Sequence, residues 1–547
     1  MSSLSFSRAL LLVRLLAGFA AASSLFGAER AHITILSTTD LHGHIYPIDY
    51  FRQRESDDGL ARIATLIHRE RELAPDLLLI DSGDTIQGTP LAYHHARKNN
   101  APINPMMLAM NRLRYDSMTI GNHEFNFGLA VLEKARREAN FPWLSANTYR
   151  IGTEEPAFGT YIIKEVQGVR MGILGLTTPG IPKWENPENY AGLEFRETVG
   201  EARKWVRMLR EQERVDLVVI AMHMGLDYEL ATGKGDVGDV LHENAALSIA
   251  REVPGIDLIL MAHTHRDVPS LVINNVLLAQ AAKWGQRLVK AEIFLERNES
   301  SDRWQVIGKS SRSLSVAGVP ADPEILGATS SYHEETQAWL SREIGESPRA
   351  LSAAEGSFQD TALLDLIHRV QLDVTGADVS LAANFNPSAR IPAGAVTVRD
   401  IAALYIYENT LYTVELTGAQ LKEALEHSAR YFLPYEPGKS PRELADPTIP
   451  GYHFDVAEGV TYEIDLRRPH GDRIRDLRFQ GAPLSPDRKL RVAINNYRFN
   501  GGGDYTMLKG APVLYRSSEE IRDLIISWVE KNRLVPSEPS NNWRLVY

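Results

Sequence analysis

At 547 residues, 44% hydrophobic and 24% charged, the sequence reads as a folded protein without extended disorder, too long for one ordinary core, so two large domains are expected. A formal net charge of −11 argues against a nucleic-acid polymer or an anionic membrane surface as the main partner. No cysteine is present, which excludes disulfides, thiolate metal sites, a cysteine nucleophile and a lipidated-cysteine anchor.

Residues 1–28 read as an export signal: Arg8 and Arg14 form the basic region, 15–22 the apolar stretch, and small residues follow, with cleavage after Ser24 or Ala28. Arg14 splits the apolar run into pieces too short to span a bilayer, so the expectation is a periplasmic or secreted protein without a membrane anchor. From residue 32 one pattern recurs, a short apolar run followed by a polar turn. The runs at 33–36, 77–80, 117–120, 171–174, 217–220 and 258–261 have the length and composition of buried strands. Helical periodicity lies between several of them, at 59–72 and 198–214, so the region 29–315 is expected to be a layered α/β domain. Residues 316–348 change character, and a turn at Val319-Pro320 precedes a polar helical segment. This segment reads as an interdomain linker or as an ordinary surface helix. A second unit, 349–547, mixes helical patterns at 360–375 and 417–429 with strand-like runs at 412–416, 460–464 and 489–494, and holds the run Gly501-Gly-Gly503.

Five polar clusters follow the strand-like runs of the first domain: Asp40-Leu-His42, Gly83-Asp84, Gly121-Asn122-His123-Glu124, His223 and His263-Thr-His265. A single histidine after a strand is commonly a turn or core residue, but turn propensity does not explain five such clusters in series. Asp40 with His42, and His263 with His265, share one side of an extended segment because strand side chains alternate. Imidazole, carboxylate and one amide oxygen suit divalent zinc, manganese, iron or cobalt. Two such ions about 3.5–4 Å apart share a carboxylate, activate water and clamp the oxygens of an in-line displacement.

The order DLH, GD, GNHE, H, HTH resembles the calcineurin-like metallophosphoesterases, with motifs covering residues 40 to 265. The resemblance implies a four-layer α/β/β/α sandwich. It also implies one ion on Asp40, His42, Asp84 and His265 and a second on Asp84, Asn122, His223 and His263, with Asp84 bridging. It puts His123 outside the metal shell, as a transition-state stabiliser or acid. Ala262 stands where the family usually has Gly. Glu124 reads as support behind the ligands or as a surface residue; His44, His94 and His95 have no motif behind them.

The C-terminal half resembles the α+β substrate-binding domain of bacterial 5′-nucleotidases and 2′,3′-cyclic phosphodiesterases, over 394–427 (with Tyr-Glu-Asn-Thr at 407–410), 454–466 and 495–505. The resemblance implies a nucleotide substrate whose base lies between two aromatic rings, a contact worth about 1–3 kcal/mol. Tyr497 matches one ring and Phe454 the other, with Tyr452 close enough to compete; Asp504 matches a ribose-binding carboxylate. Arg390 is a candidate phosphate contact. Typical 5′-nucleotidases carry Asp three residues after the catalytic His, and this chain has Asn126, a neutral amide that gives the imidazole less electrostatic support. Asn126 and Tyr-Glu-Asn-Thr resemble the cyclic phosphodiesterase/3′-nucleotidase branch. The expectation is therefore a two-metal nucleotidase acting on 2′,3′-cyclic and 3′- or on 5′-nucleotides. The competing readings are a nucleotide-sugar pyrophosphatase and, from another class, a nucleotide-binding protein without turnover. With ligands and base platforms in separate domains, a hinge motion about 316–348 is expected.

Overall fold

The first strand, Arg30–Thr38, is buried at seven of its nine positions and lies inside a six-stranded sheet, because both of its faces are covered. The strand order in that sheet is 303–315, 287–298, 30–38, 78–81, 117–119, 143–144. The last four strands run parallel and the first two antiparallel. A second six-stranded sheet runs 267–273, 276–281, 258–261, 217–223, 169–177, 161–166, again parallel at its centre and antiparallel at both edges. The computed structural model describes residues 28–227, 243–298 and 302–547. The expected export signal falls outside these residues, apart from Ala28.

The two sheets face each other across an apolar layer that includes Ile33, Ile35 and Ile80 from the first and Met171, Ile173, Val219 and Leu260 from the second. The far face of the second sheet buries Leu174, Val218 and Ile220 against the helices Thr198–Glu211 and Ala246–Glu252, through Val206, Leu209 and Ile249. The far face of the first sheet carries the helices Leu60–Leu73 and Pro105–Arg112. Helix, sheet, sheet, helix is the expected four-layer order. The parallel strands of both sheets end at one edge of the sandwich, where an α/β fold collects its functional loops.

The segment expected as linker is mostly helical. Asp322 caps the helix Pro323–Ala328 by accepting from Ile325 N at 2.9 Å, and a second helix, Ser330–Leu340, follows. Both dock on the first domain: Tyr46 donates to Leu326 O at 2.6 Å, and Trp339 stacks on Tyr93. The chain then enters strand Glu343–Ser347, which pairs with Gly394–Thr397 of the second domain. The crossover is thus confined to a few residues near Ser341 and Arg342.

The second domain is built on a five-stranded sheet of order 455–458, 379–383, 489–495, 410–417, 513–520, with the helices Ala362–Thr375, Gly418–Ser428 and Ile521–Asn532 packed on it. Thr417 and Gln420 form a reciprocal cap that starts the helix at Gly418. Beside the edge where the parallel strands end, the two domains meet through polar pairs. Arg97 bonds Glu520 at 3.1 Å and Lys98 bonds Asp523 at 3.0 Å. Asn186 bonds both Thr410 Oγ1 (3.1 Å) and the Tyr412 hydroxyl (2.7 Å), and Gln87 donates to Glu408.

Candidate two-metal site and substrate cleft

Every expected ligand in the first domain stands at or just beyond the C-terminal end of a parallel strand. Asp40 and His42 follow strand 30–38, Asp84 follows 78–81, Asn122 follows 117–119, His223 ends 217–223, and His263 and His265 follow 258–261. The loops are laced to each other: Asp40 N donates to Gly83 O, His42 N to Asp84 O and Gly43 N to Thr85 O, all at 2.8–2.9 Å. Asp40, His42, Asp84, His263 and His265 all have φ between 47° and 70°, the left-handed region that side chains other than Gly seldom occupy. Glu124, fully buried, holds the Asp84 loop in this shape. Its carboxylate accepts from Gly121 N (2.7 Å), Asp84 N (2.9 Å), Thr85 N (2.6 Å) and Ile86 N (3.2 Å). The glycine of the GNHE motif has a steric cause: a Cβ at Gly121 would lie 2.2 Å from Asp84 Oδ1.

The side chains gather in two groups, Asp40 with His42 and His265, and Asp84 with His223 and His263, each with its candidate ligand atoms within 4.8 Å of one another. Asp84 Oδ2 links the groups, 3.0 Å from His223 Nε2 and 3.8 Å from His42 Nε2. His223 Nδ1 donates to Ser82 O at 2.8 Å and His42 Nδ1 faces Gln87 O at 3.2 Å, which leaves both Nε2 atoms turned into the site. Burial drives His42 well below its ordinary range and His265 to about 3, so both rings are neutral, the form that binds a metal. His42 and His265 nonetheless bring their Nε2 atoms within 3.1 Å. Burial opposes a charge on His223 too, yet Asp84, Asp40 and Glu124 together push it up to about 10, a measure of how much negative charge converges here. Asn122 Oδ1 is buried without a hydrogen-bond partner, and His223 Nε2 faces Asp84 Oδ2. An unpaired amide oxygen, facing imidazoles and clustered carboxylates fit two divalent cations.

His123 follows Asn122 on a short turn. Its amide N donates to Asp84 Oδ1 at 2.8 Å, and its Nε2 lies 4.0 Å from Asp84 Oδ2. Its Nδ1 contacts Asn126 Oδ1 at 2.6 Å. Burial lowers the affinity of this ring for a proton, but Asp84 and the bond to Asn126 outweigh it and the net direction is upward. Glu185, which no motif marked, accepts from Asn126 Nδ2 at 2.7 Å. His44 stays outside this chemistry, stacked on Trp284.

A cleft of about 450 Å³ opens directly on this site. One wall is Asn122, His123, Trp184 and His263; the opposite wall, from the second domain, is Tyr407, Glu408, Tyr452 and Tyr497. The buried pair Arg498–Asp455 (2.7 Å) organises that wall, because Arg498 also donates to Gly502 O and Tyr452 O and so ties both tyrosine-bearing loops together. Gly502 lies flat beneath the Tyr497 ring, and a Cβ there would come within 2.5 Å of it.

Three substrate candidates fall elsewhere. Phe454 is 1% exposed and packs between Tyr431, Phe432 and Trp543, so it is a core residue, and the neighbouring Tyr452 faces the cleft in its place. The switch comes where the short turn Gly451–His453 gives way to strand Asp455–Glu458. Arg390 is exposed on strand Arg390–Ile391 and donates to Pro387 O and Ala389 O, away from the cleft-lining residues. Asp504 is exposed in left-handed backbone outside the lining, although its charge reaches Tyr497 and His453.

A four-layer sandwich with paired Asp/His ligand groups at its strand ends, facing an aromatic wall on a second domain, defines a two-metal phosphoesterase with an appended substrate domain. Residues 33–267 match the family described as calcineurin-like phosphoesterase, and residues 342–510 that described as 5′-nucleotidase, C-terminal domain. The chain is 30% identical to the 2′,3′-cyclic-nucleotide 2′-phosphodiesterase/3′-nucleotidase of Salmonella typhimurium, over 97% of this chain and 91% of that one. It is 28% identical to the trifunctional nucleotide phosphoesterase protein YfkN of Bacillus subtilis over 95% of its own length, but spans only 39% of that longer relative. Its fold superposes on a putative 5′-nucleotidase from Staphylococcus aureus with a TM-score of 0.82 at 26% identity, covering 94% of this chain and 100% of that one. The chain belongs to the family of calcineurin-like metallophosphoesterases that carry a 5′-nucleotidase C-terminal domain, enzymes that are metal-dependent hydrolases.

Proposed function

We propose that the substrate is a nucleotide with one phosphorus centre, a 2′,3′-cyclic nucleotide or a 3′-nucleotide, bound across the cleft with its ester at the metal side and its base against the tyrosines. The observation that carries this reading is the cleft itself, which joins the expected ligands Asn122 and His263, with His123 beside them, to three tyrosines over a volume suited to one small ligand. Among the described residues lining it none is Lys or Arg, whereas Glu185 and Glu408 are both present. A second phosphate, as in a nucleotide sugar, would face carboxylates with no Lys or Arg in the lining beside it, which disfavours the pyrophosphatase reading. The choice of a cyclic or 3′-ester over a 5′-ester rests on Asn126 and on the Salmonella relative.

Asp40, His42, Asp84 and His265 would hold one divalent ion, and Asp84, Asn122, His223 and His263 the other. Bound there, the ions neutralise the phosphoryl oxygens and make water acidic enough to act as a nucleophile. His123 presents Nε2 to the same space, where it can hydrogen-bond a phosphoryl oxygen or give a proton to the leaving alkoxide. The tyrosines orient the base and Asn409 and Asn496 offer amides to the sugar. Entry and release call for the domains to part about the crossover near Ser341; a cysteine pair introduced across the polar seam, in a chain with no other thiol, should slow turnover when oxidised. On the reading of residues 1–28 as an export signal, the enzyme works outside the cytoplasm.

The decisive assay compares phosphate release or ring opening by the manganese-loaded protein on 2′,3′-cyclic AMP, 3′-AMP, 5′-AMP and UDP-glucose. The first two should have the highest kcat/KM; 5′-AMP as the best substrate by a wide margin would overturn the regiochemical reading.

A further inference from the structure

His123 does not sit on Asn126 alone. Asn126 Oδ1 lies 2.6 Å from His123 Nδ1, and Asn126 Nδ2 donates to Glu185 Oε2 at 2.7 Å. Glu185 is 5% exposed, and its other oxygen accepts from Asn186 N at 2.7 Å and from Asn189 Nδ2 at 2.9 Å. A primary amide can turn over and offer either end to a neighbour. An ionised carboxylate can only accept, so Glu185 draws the NH2 end of Asn126 to itself. The carbonyl end is then left for His123, Nδ1 must carry its hydrogen there, and Nε2 is the atom presented to the cleft.

We propose that Glu185 is a positioning residue for His123, acting through the Asn126 amide to fix the ring's tautomer and orientation. The arrangement replaces direct carboxylate support by a carboxylate one amide removed. Asn186, the next residue, bonds Thr410 and Tyr412 of the second domain, so the chain segment that orients the imidazole also touches the wall that receives the base. Sequence spacing hides the link, because Glu185 lies in the loop after the short helix Ile181–Trp184, in no motif.

The inference rests on the proposed catalytic role of His123, and the test separates the two. In full-length, manganese-loaded protein, Glu185→Gln should lower kcat on 2′,3′-cyclic AMP about tenfold, with KM within about twofold. Asn126→Ala should cost as much, and adding Glu185→Gln to it should cost nothing more, because the two act in series. In the double variant Asn126→Asp/Glu185→Gln the new carboxylate accepts from Nδ1–H directly, and the amide introduced at position 185 donates to it, so kcat should recover most of what Glu185→Gln loses. A role confined to packing Asn186 and Asn189 predicts no recovery and an additive loss, and either result would overturn the proposal. Full activity of Glu185→Gln, with His123→Ala inactive, would overturn it while leaving the role of His123 intact. Full activity of His123→Ala would remove the underlying reading.

Discussion

On the metal side of the cleft each ligand is attached to the end of a strand, and five of them are held in left-handed backbone by a ladder of loop-to-loop hydrogen bonds and by Glu124. On the substrate side Tyr407 comes from a loop, Tyr452 from the short turn Gly451–His453 and Tyr497 from the short helix Asn496–Phe499, and a single buried arginine ties the last two together. The first wall has its geometry set before any ligand arrives, at a conformational cost of order 1–3 kcal/mol for each strained residue. The second offers broad aromatic faces that tolerate variation in what they touch. The metal wall is thus held by loop-to-loop hydrogen bonds in left-handed backbone, and the aromatic wall by one buried ion pair.

Substitutions on the two walls should therefore fail in different ways. Asp84→Asn removes the carboxylate shared by both ligand groups and should lower kcat/KM by about 10⁴-fold or more, with metal content by elemental analysis falling in parallel. His123→Ala should lower kcat by about 10²–10³-fold while metal content stays at the wild-type level; loss of metal in this variant would move His123 back among the ligands. Phe454→Ala, in the core, should cost about 3–5 kcal/mol of stability in a denaturant titration and leave KM of the folded fraction unchanged. Tyr497→Ala should do the reverse, raising KM by the equivalent of about 1–3 kcal/mol with little change in melting temperature. If the two tyrosine and phenylalanine variants behaved alike, the division between platform and core would fail.

The smallest expected effect concerns pH. His368 is buried in the second domain with Nδ1 2.9 Å from Ser380 Oγ, and burial lowers its pKa from an ordinary 6.5 to about 3. A neutral native imidazole contributes stability that is fully present above about pH 6.5 and drains away as pH falls toward 3. The urea midpoint of His368→Leu should accordingly drop less between pH 7 and pH 4.5 than that of the wild type.

The metal wall could be read in the sequence because its ligands are local to strand ends and the strands announce themselves as short apolar runs. The expected runs at 33–36, 217–220 and 258–261 lie inside the observed strands Arg30–Thr38, Leu217–His223 and Leu258–Met261. The substrate wall could not be read in the same way, since which aromatic faces the cleft depends on where a turn ends. Phe454 and Tyr452 differ by two positions, and the backbone between them changes from turn to strand, so alternation does not carry across. Arg390 fits a phosphate-binding composition, but its strand pairs with Leu351–Ser352, away from the cleft. In the sequence Glu124 reads either as support behind the ligands or as a surface acid, and its four backbone donors decide for support, while Glu185 is brought to Asn126 by tertiary structure across 59 residues of chain.

The polar seam between the domains has a consequence for how the molecule responds to its medium. Pairs such as Arg97–Glu520, Lys98–Asp523 and Arg516–Glu188 are partly open to solvent, and dissolved ions weaken such attractions over a screening length of about 10 Å at 0.1 M salt. The oily layer between the two sheets has no such sensitivity. If the domains part as proposed, added salt should act selectively on that opening and leave the packing between the sheets unchanged.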